Sequence, residues 1–281
     1  MLFFHKTLPL SKYEKKLSPV NGIVEEGLIA YIITKIGQSD LIKFCVEFGA
    51  GDGSNHSFTR NLIENHDWKA FLIEASSSLA PKLLEKYKDS ESIITKNSFI
   101  TQENILDLFK NGNVPKNLGF LCVDIDGNDY YVLEKILENY IPQIICVEFN
   151  SSYGPNTEFK INYDPSFVWS GDDYFGASFA SFNKLCEQFG YSLIHCTNGG
   201  DNLFFVKDKF ASKFEKWKKS PEEYYQLPQY GRRGRAINGK GHPASSKNTS
   251  SAQRLLFSLR YFAMNPPRKI FKIINKLKSN P

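Results

Sequence analysis

The sequence predicts an open α/β sheet, mostly parallel, with helices on both faces and one antiparallel strand at the end. Three observations predict it. Between residues 24 and 188, apolar runs of strand length alternate with segments of helical period. The runs are apolar throughout rather than every second residue, as in strands buried on both faces. The last two runs, 191–196 and 203–207, flank TNGGDN, whose Gly-Gly is a hairpin turn signal.

The elements follow in order. Residues 1–23 form an irregular, lysine-rich N-terminal arm. Apolar positions 24, 28, 29, 32, 33 and 36 give a first helix, 24–36. Strand 41–48 comes next, then a helix over 54–66 opened by Ser54 and Asn55. Strand 69–74 leads to a helix near 79–88 with Pro81 in its first turn. A short strand at Ile93 and Ile94 ends near Asn97 and Ser98, and 102–110 is helical. Strand 118–125, helix 128–140 and strand 143–149 precede a loop, 153–175, rich in aromatics and aspartates. Helix 176–188 and the hairpin close a body spanning 24–210, and a basic extension occupies 211–281.

A chain of 281 residues buries a full core in one large domain. It contains no apolar run long enough for a spanning helix, and its first residues do not read as a signal peptide. The five cysteines form no C-x-x-C pair, so they are expected as reduced core residues of a cytoplasmic protein. The net charge of +5 hides an asymmetry. Residues 224–281 hold twelve Lys/Arg and no acid, which leaves the first 223 residues net acidic. An acidic body and a basic tail are expected to have different tasks.

The central stretch is 41–54, LIKFCVEFGAGDGS: a buried strand, a tight turn with Gly49, Gly51 and Gly53, and a polar segment. Glycines in such a turn let the main chain approach a ligand closely. Twenty-one residues past Gly53 the next strand ends in Glu74, where a carboxylate grips a nucleotide ribose. The spacing is G-x-G-x-G, flanked by Glu47 and containing Asp52, rather than the G-x-G-x-x-G of dinucleotide sites. Two acids there oppose a pyrophosphate and suit a cationic ligand.

In open α/β sheets ligands lie beyond the carboxyl ends of the strands. Here those ends carry Glu47, Glu74, Asn97, Asp124, Asp126, Glu148 and Asn150. Acids on buried strands are costly without partners, so Asp124, Asp126 and Glu148 are the candidate catalytic carboxylates. His195, near the end of the sixth strand, is a further candidate base. Asp124, Glu148 and Asn150 are oxygen ligands of the kind Mg²⁺ takes.

The segments 46–53 (VEFGAGDG), 123–129 (VDIDGND), 147–150 (VEFN), 176–178 (GAS) and 202–206 (NLFFV) together resemble the FkbM-type methyltransferases. The resemblance covers about residues 21–208 and implies a Rossmann-like class I methyltransferase sheet using S-adenosylmethionine. It implies that Glu47, Gly49 and Gly51 border the methionine moiety, Glu74 the ribose, and Asn97 and Ser98 the adenine. Asp52 and Asn55 complete the expected cofactor set, and Asp124 and Asp126 face the transferring methyl. Bacterial relatives accompany surface-polysaccharide synthesis and methylate sugar hydroxyls. The expected partner is therefore a sugar or nucleotide-sugar, with nucleic acid not expected.

In the extension, Arg232, Arg233 and Arg235 suit the diphosphate of a nucleotide-activated sugar, with Asn150 as a further substrate contact. Residues 252–264 and 268–278 read as basic amphipathic helices for self-association, packing on the body, or the inner face of the membrane. Two alternatives stand beside this reading. One is an RNA methyltransferase using the basic tail as its arm; the other is a membrane-surface assembly protein with a non-catalytic fold.

Overall fold

The computed structural model describes residues 9–19, 21, 23–169 and 174–226. Arg232, Arg233, Arg235 and the two basic helices expected in the tail lie outside the described residues.

Helix α1 (Glu26–Ile36) precedes strand β1 (Phe44–Phe48), α2 (Arg60–His66), β2 (Lys69–Glu74) and α3 (Ala80–Tyr87). Then come β3 (Ile93–Asn97), α4 (Ile105–Asn111), β4 (Asn117–Val123), α5 (Asp129–Leu137) and β5 (Ile141–Glu148). Helix α6 (Phe179–Gln188), strands β6 (Tyr191–Cys196) and β7 (Asn202–Lys207), and short helix α7 (Pro221–Tyr224) complete the described chain. The sheet order is β3-β2-β1-β4-β5-β7-β6. β7 runs antiparallel to both neighbours and every other pair is parallel. This is the mostly parallel, Rossmann-like α/β sheet with one antiparallel strand that the sequence predicts.

The pleat sorts the central strands onto two faces. Val46, Phe48, Leu121, Val123, Ile145 and Val147 face a core shared with α4, α5 and α6. Cys45, Phe120, Cys122, Ile144 and Cys146 face the opposite core, shared with α1, α2 and α3. All five cysteines are free and buried, as expected for small apolar core residues.

Two stretches differ from the sequence expectation. α2 begins at Arg60, not at Ser54. The cause is Glu47, which is 1% exposed on β1. Its carboxylate accepts from Ser57 Oγ (2.8 Å), Phe58 N (2.7 Å), Thr59 N (3.2 Å) and Thr59 Oγ1 (2.5 Å). Those bonds hold residues 57–59 against the strand in a non-helical path. Glu47→Ala orphans the two buried amides, which predicts a loss of about 2–4 kcal/mol of stability, read as a lower urea midpoint.

The body also continues beyond residue 210. A 3-10 segment, Asp208–Trp217, buries Phe210, Phe214 and Trp217 against the α1 face. Tyr224 and Tyr225 enter the other core, and Tyr225 OH donates to the Ser151 carbonyl at 2.7 Å. The N-terminal arm packs as well: Leu10 and Ile23 are buried, and Tyr13 stacks on Tyr31 at 3.6 Å between centroids.

Candidate functional site

The carboxyl ends of β1 to β4 open onto a cleft of about 500 Å³. Its first wall is the glycine turn. Gly49 has φ +68°, and a Cβ there would run into the Asp124 carbonyl oxygen, so only glycine lets β1 and β4 meet at this point. Gly51 has φ +59° and its N–H donates to Glu74 Oε2 at 2.8 Å. Glu74 Oε1 accepts from Ser76 N at 2.7 Å, and Ala50 N donates to the Ile73 carbonyl at 3.2 Å. The turn is thus fastened to the end of β2. A carboxylate has about four acceptor positions, so Glu74 keeps capacity for ligand hydroxyls.

Asp52 Oδ1 accepts from Ser54 N and Asn55 N, both at 2.8 Å, and Oδ2 accepts from Asn55 Nδ2 at 3.2 Å. Against a desolvation cost, those amides hold Asp52 below the usual carboxylate range. Asp52 and Asn55 both line the cleft, joined by Ser98, Phe99 and Ile100 beyond β3.

The floor is acidic. One carboxylate oxygen from each of Asp124, Asp126 and Glu148 lies within 4.8 Å of the others. Burial first, and then the charges of Asp126, Asp129 and Asp201, push Asp124 well above the usual carboxylate range. Glu148 is raised strongly by burial and then by Asp124 and Asp126, and Asp126 is raised by desolvation and by Glu74. Asp126 is held at φ +54°, an uncommon conformation for a residue with a Cβ. The loop that holds it is organised by buried Asp129, which accepts from Ile125 N and Gly127 N, both at 2.8 Å. Burial lifts Asp129 to about 6 in spite of these bonds. Asp124 and Asp126 line the cleft, and Glu148 stands beside them at the end of β5.

Four expected site residues are elsewhere. Glu47 turns its carboxylate to residues 57–59 and is not on the cleft wall. Asn97 is exposed and off the wall, because β3 keeps its pleat to that residue and the chain turns inward only at Ser98. Asn150 is fully buried: Nδ2 donates to the Phe175 carbonyl at 3.1 Å, and Oδ1 accepts from Ser152 N at 3.0 Å. It joins the start of the β5–α6 loop to its end, and Asp126 takes its place in the oxygen cluster. His195 Nε2 lies 2.6 Å from Glu14 Oε1, away from the cleft, because β6 is the outermost strand.

The sequence reading missed Phe99, Phe167 and His56 on the cleft wall and Asp129 beneath it. The aromatic loop 153–175 was a signal for Phe167, but spacing does not say which of its rings faces inward. Among the described residues lining the cleft there is no Lys or Arg.

A second acidic group ties the N-terminal arm to the hairpin. Glu14 also accepts from Asn198 N at 3.1 Å, and Glu25, 5% exposed, faces the charges of Asp201 and Glu14. Burial, followed by Asp201, raises Glu25 to about 7. A carboxyl raised in the folded state stabilises below its unfolded value, and that contribution is lost as pH rises through the folded value. Thermal unfolding should therefore show stability falling between about pH 4 and about pH 7. Glu25→Gln should raise the melting temperature on the alkaline side and change little on the acidic side. Parallel wild-type and variant profiles would contradict this.

No family model matches the sequence, and no curated protein matches it. Solved structures do. The N-terminal domain of EvdMO1 with SAH bound matches at 8% identity and a TM-score of 0.43, over 65% of this chain and 79% of that one. The methyltransferase domain of bacterial CtHen1 matches at 15% and 0.41, over 65% and 96%. An S-adenosylmethionine-dependent methyltransferase from Clostridium acetobutylicum matches at 13% and 0.38, over 63% and 89%. The chemistry of the cleft rests on its own side chains.

Proposed function

We propose that this protein is an S-adenosylmethionine-dependent O-methyltransferase of the FkbM type, acting on a sugar hydroxyl in surface-glycan synthesis in the cytoplasm. The observation that carries the reading is the glycine turn fastened by Glu74 beside a nucleoside-sized cleft walled by carboxylates and, among the described residues, without Lys or Arg. Such a wall favours a cation-bearing nucleoside over a pyrophosphate. Glu74 would take the ribose hydroxyls, and Phe99 and Ile100 offer apolar surface to the adenine. Among the described residues no helix is long and apolar enough to cross a membrane.

In the reaction, an acceptor hydroxyl attacks the methyl carbon in line with the sulfonium. A carbon–oxygen bond forms, the carbon–sulfur bond breaks with its electron pair going to sulfur, and the hydroxyl proton passes to a carboxylate. Asp124 and Asp126 stand on the cleft wall for that proton, and their upward shifts make them stronger bases than an exposed aspartate.

The same oxygens suit a divalent cation. Three carboxylates are a hard, all-oxygen donor set, and their mutual repulsion is relieved by a positive ion. Asp124, Asp126 and Glu148 would hold Mg²⁺, which when bound would acidify a coordinated hydroxyl. The test is mass spectrometry of a glycoside panel with labelled S-adenosylmethionine, with EDTA and with Mg²⁺. Label should appear on an O-methylated sugar, and EDTA should suppress it. Label on nitrogen acceptors or RNA alone would overturn the reading.

A further inference from the structure

Resting on the methyl-transfer reading, we propose that the acceptor entering this cleft is a neutral glycoside, with no phosphate on the reacting sugar, whose ring stacks on Phe167. Phe167 is a wall residue of the cleft, and its ring fills the space above Gly127, where a Cβ would come within 2.7 Å of it. Gly127 follows Asp126 directly, so an aromatic face stands next to the carboxylate cluster. That pairing is the chemistry of sugar recognition: the ring takes the apolar C–H face of a pyranose, and carboxylates accept its hydroxyls.

The wall is built in advance. Phe167 N donates to the Asp164 carbonyl at 2.9 Å, and Asn128 Nδ2 donates to the same oxygen at 2.7 Å. Tyr163 OH donates to Glu103 Oε2 at 2.5 Å and accepts from Gln102 N at 3.0 Å, which anchors the loop to the start of α4. Asn128, on the cleft wall and 3% exposed, leaves its Oδ1 without a donor among the described residues.

Charge decides between a plain glycoside and a nucleotide-activated one. Asp52, Glu74, Asp124 and Asp126 line the cleft, and none of its described lining residues is Lys or Arg. With no cation among these carboxylates, a diphosphate beside them adds like charge in a partly desolvated site, whereas a neutral sugar adds none.

The experiment titrates the full chain, loaded with S-adenosylhomocysteine, with methyl pyranosides and short neutral oligosaccharides. The same sugars as nucleoside-diphosphate esters are titrated beside them, at low and high salt, with EDTA and with Mg²⁺. With EDTA, at least one neutral glycoside should bind at least about tenfold more tightly than its ester, and the gap should narrow as salt rises or Mg²⁺ is added. Asp126→Asn should narrow it too. Phe167→Ala should weaken the glycoside about tenfold, and Phe167→Trp should retain it, with S-adenosylhomocysteine affinity following neither change. Esters that bind as tightly as the glycosides, no binding of any neutral glycoside, or an unchanged Phe167→Ala would each overturn the proposal. A protein that does not take up S-adenosylhomocysteine overturns the methyl-transfer reading itself, and the loading step shows that before any sugar is added.

Discussion

Asp124→Asn is expected to slow methyl transfer by about 10²- to 10⁴-fold while the protein stays folded and still binds S-adenosylhomocysteine. Asp124 stands on the cleft wall, next to the turn and within reach of Asp126 and Glu148. The amide keeps the shape but neither accepts a proton nor counts as a third anionic oxygen. The stability change separates this account from simple damage. Burial and four neighbouring acids raise the Asp124 carboxyl, so removing its charge relieves repulsion. The variant should melt at or above the wild-type temperature on the alkaline side. A variant that loses activity through unfolding would place Asp124 among the structural acids instead.

Gly49→Ala is the second large effect. Its Cβ would meet the Asp124 carbonyl oxygen, a backbone atom that cannot rotate away, at a residue with φ +68°. The left-handed conformation alone costs roughly 1–2 kcal/mol for a residue with a Cβ. The clash adds to that and forces the turn away from β4. A displacement on the scale of an ångström at the reacting centre costs about a hundredfold in rate, and cofactor affinity should fall with it. Gly51→Ala is the control. Its nearest neighbour would be the Asn55 carbonyl oxygen at 3.5 Å, so only the conformational cost applies. Calorimetry should find Gly51→Ala much closer to wild type than Gly49→Ala; equal losses would contradict the packing argument.

The sheet was legible because burial on both faces writes itself as unbroken apolar runs. β2 is read to the residue, β3 to within one, and β1, β4 and β5 to within three. Glu74, Asp124 and Asp126 were legible for a related reason: an acid at the end of such a run has few places to go but the cleft. Glu47 has the same sequence signature and the opposite fate. Its carboxylate points to the α2 side, where Ser57, Phe58 and Thr59 consume it, and nothing in the spacing says to which face an acid on a two-sided strand will turn. The late start of α2 follows from that one side chain. Asn150 and His195 failed differently. Both lie near strand ends, but their partners, Phe175, Ser152 and Glu14, come from loops and an arm whose paths no periodicity encodes. Phe167 is the converse case, a cleft residue supplied by a loop in which any of several rings could have faced inward.

The central claim is that the turn at Gly49–Gly53 and the carboxylate of Glu74 hold a positively charged nucleoside. Isothermal calorimetry of the wild-type chain with S-adenosylmethionine, beside NAD at equal concentration, tests it most directly. The account predicts one micromolar-range site for S-adenosylmethionine, lost in Glu74→Lys, and no comparable heat from NAD. No binding of S-adenosylmethionine at millimolar concentration, or tighter binding of the dinucleotide, would contradict it.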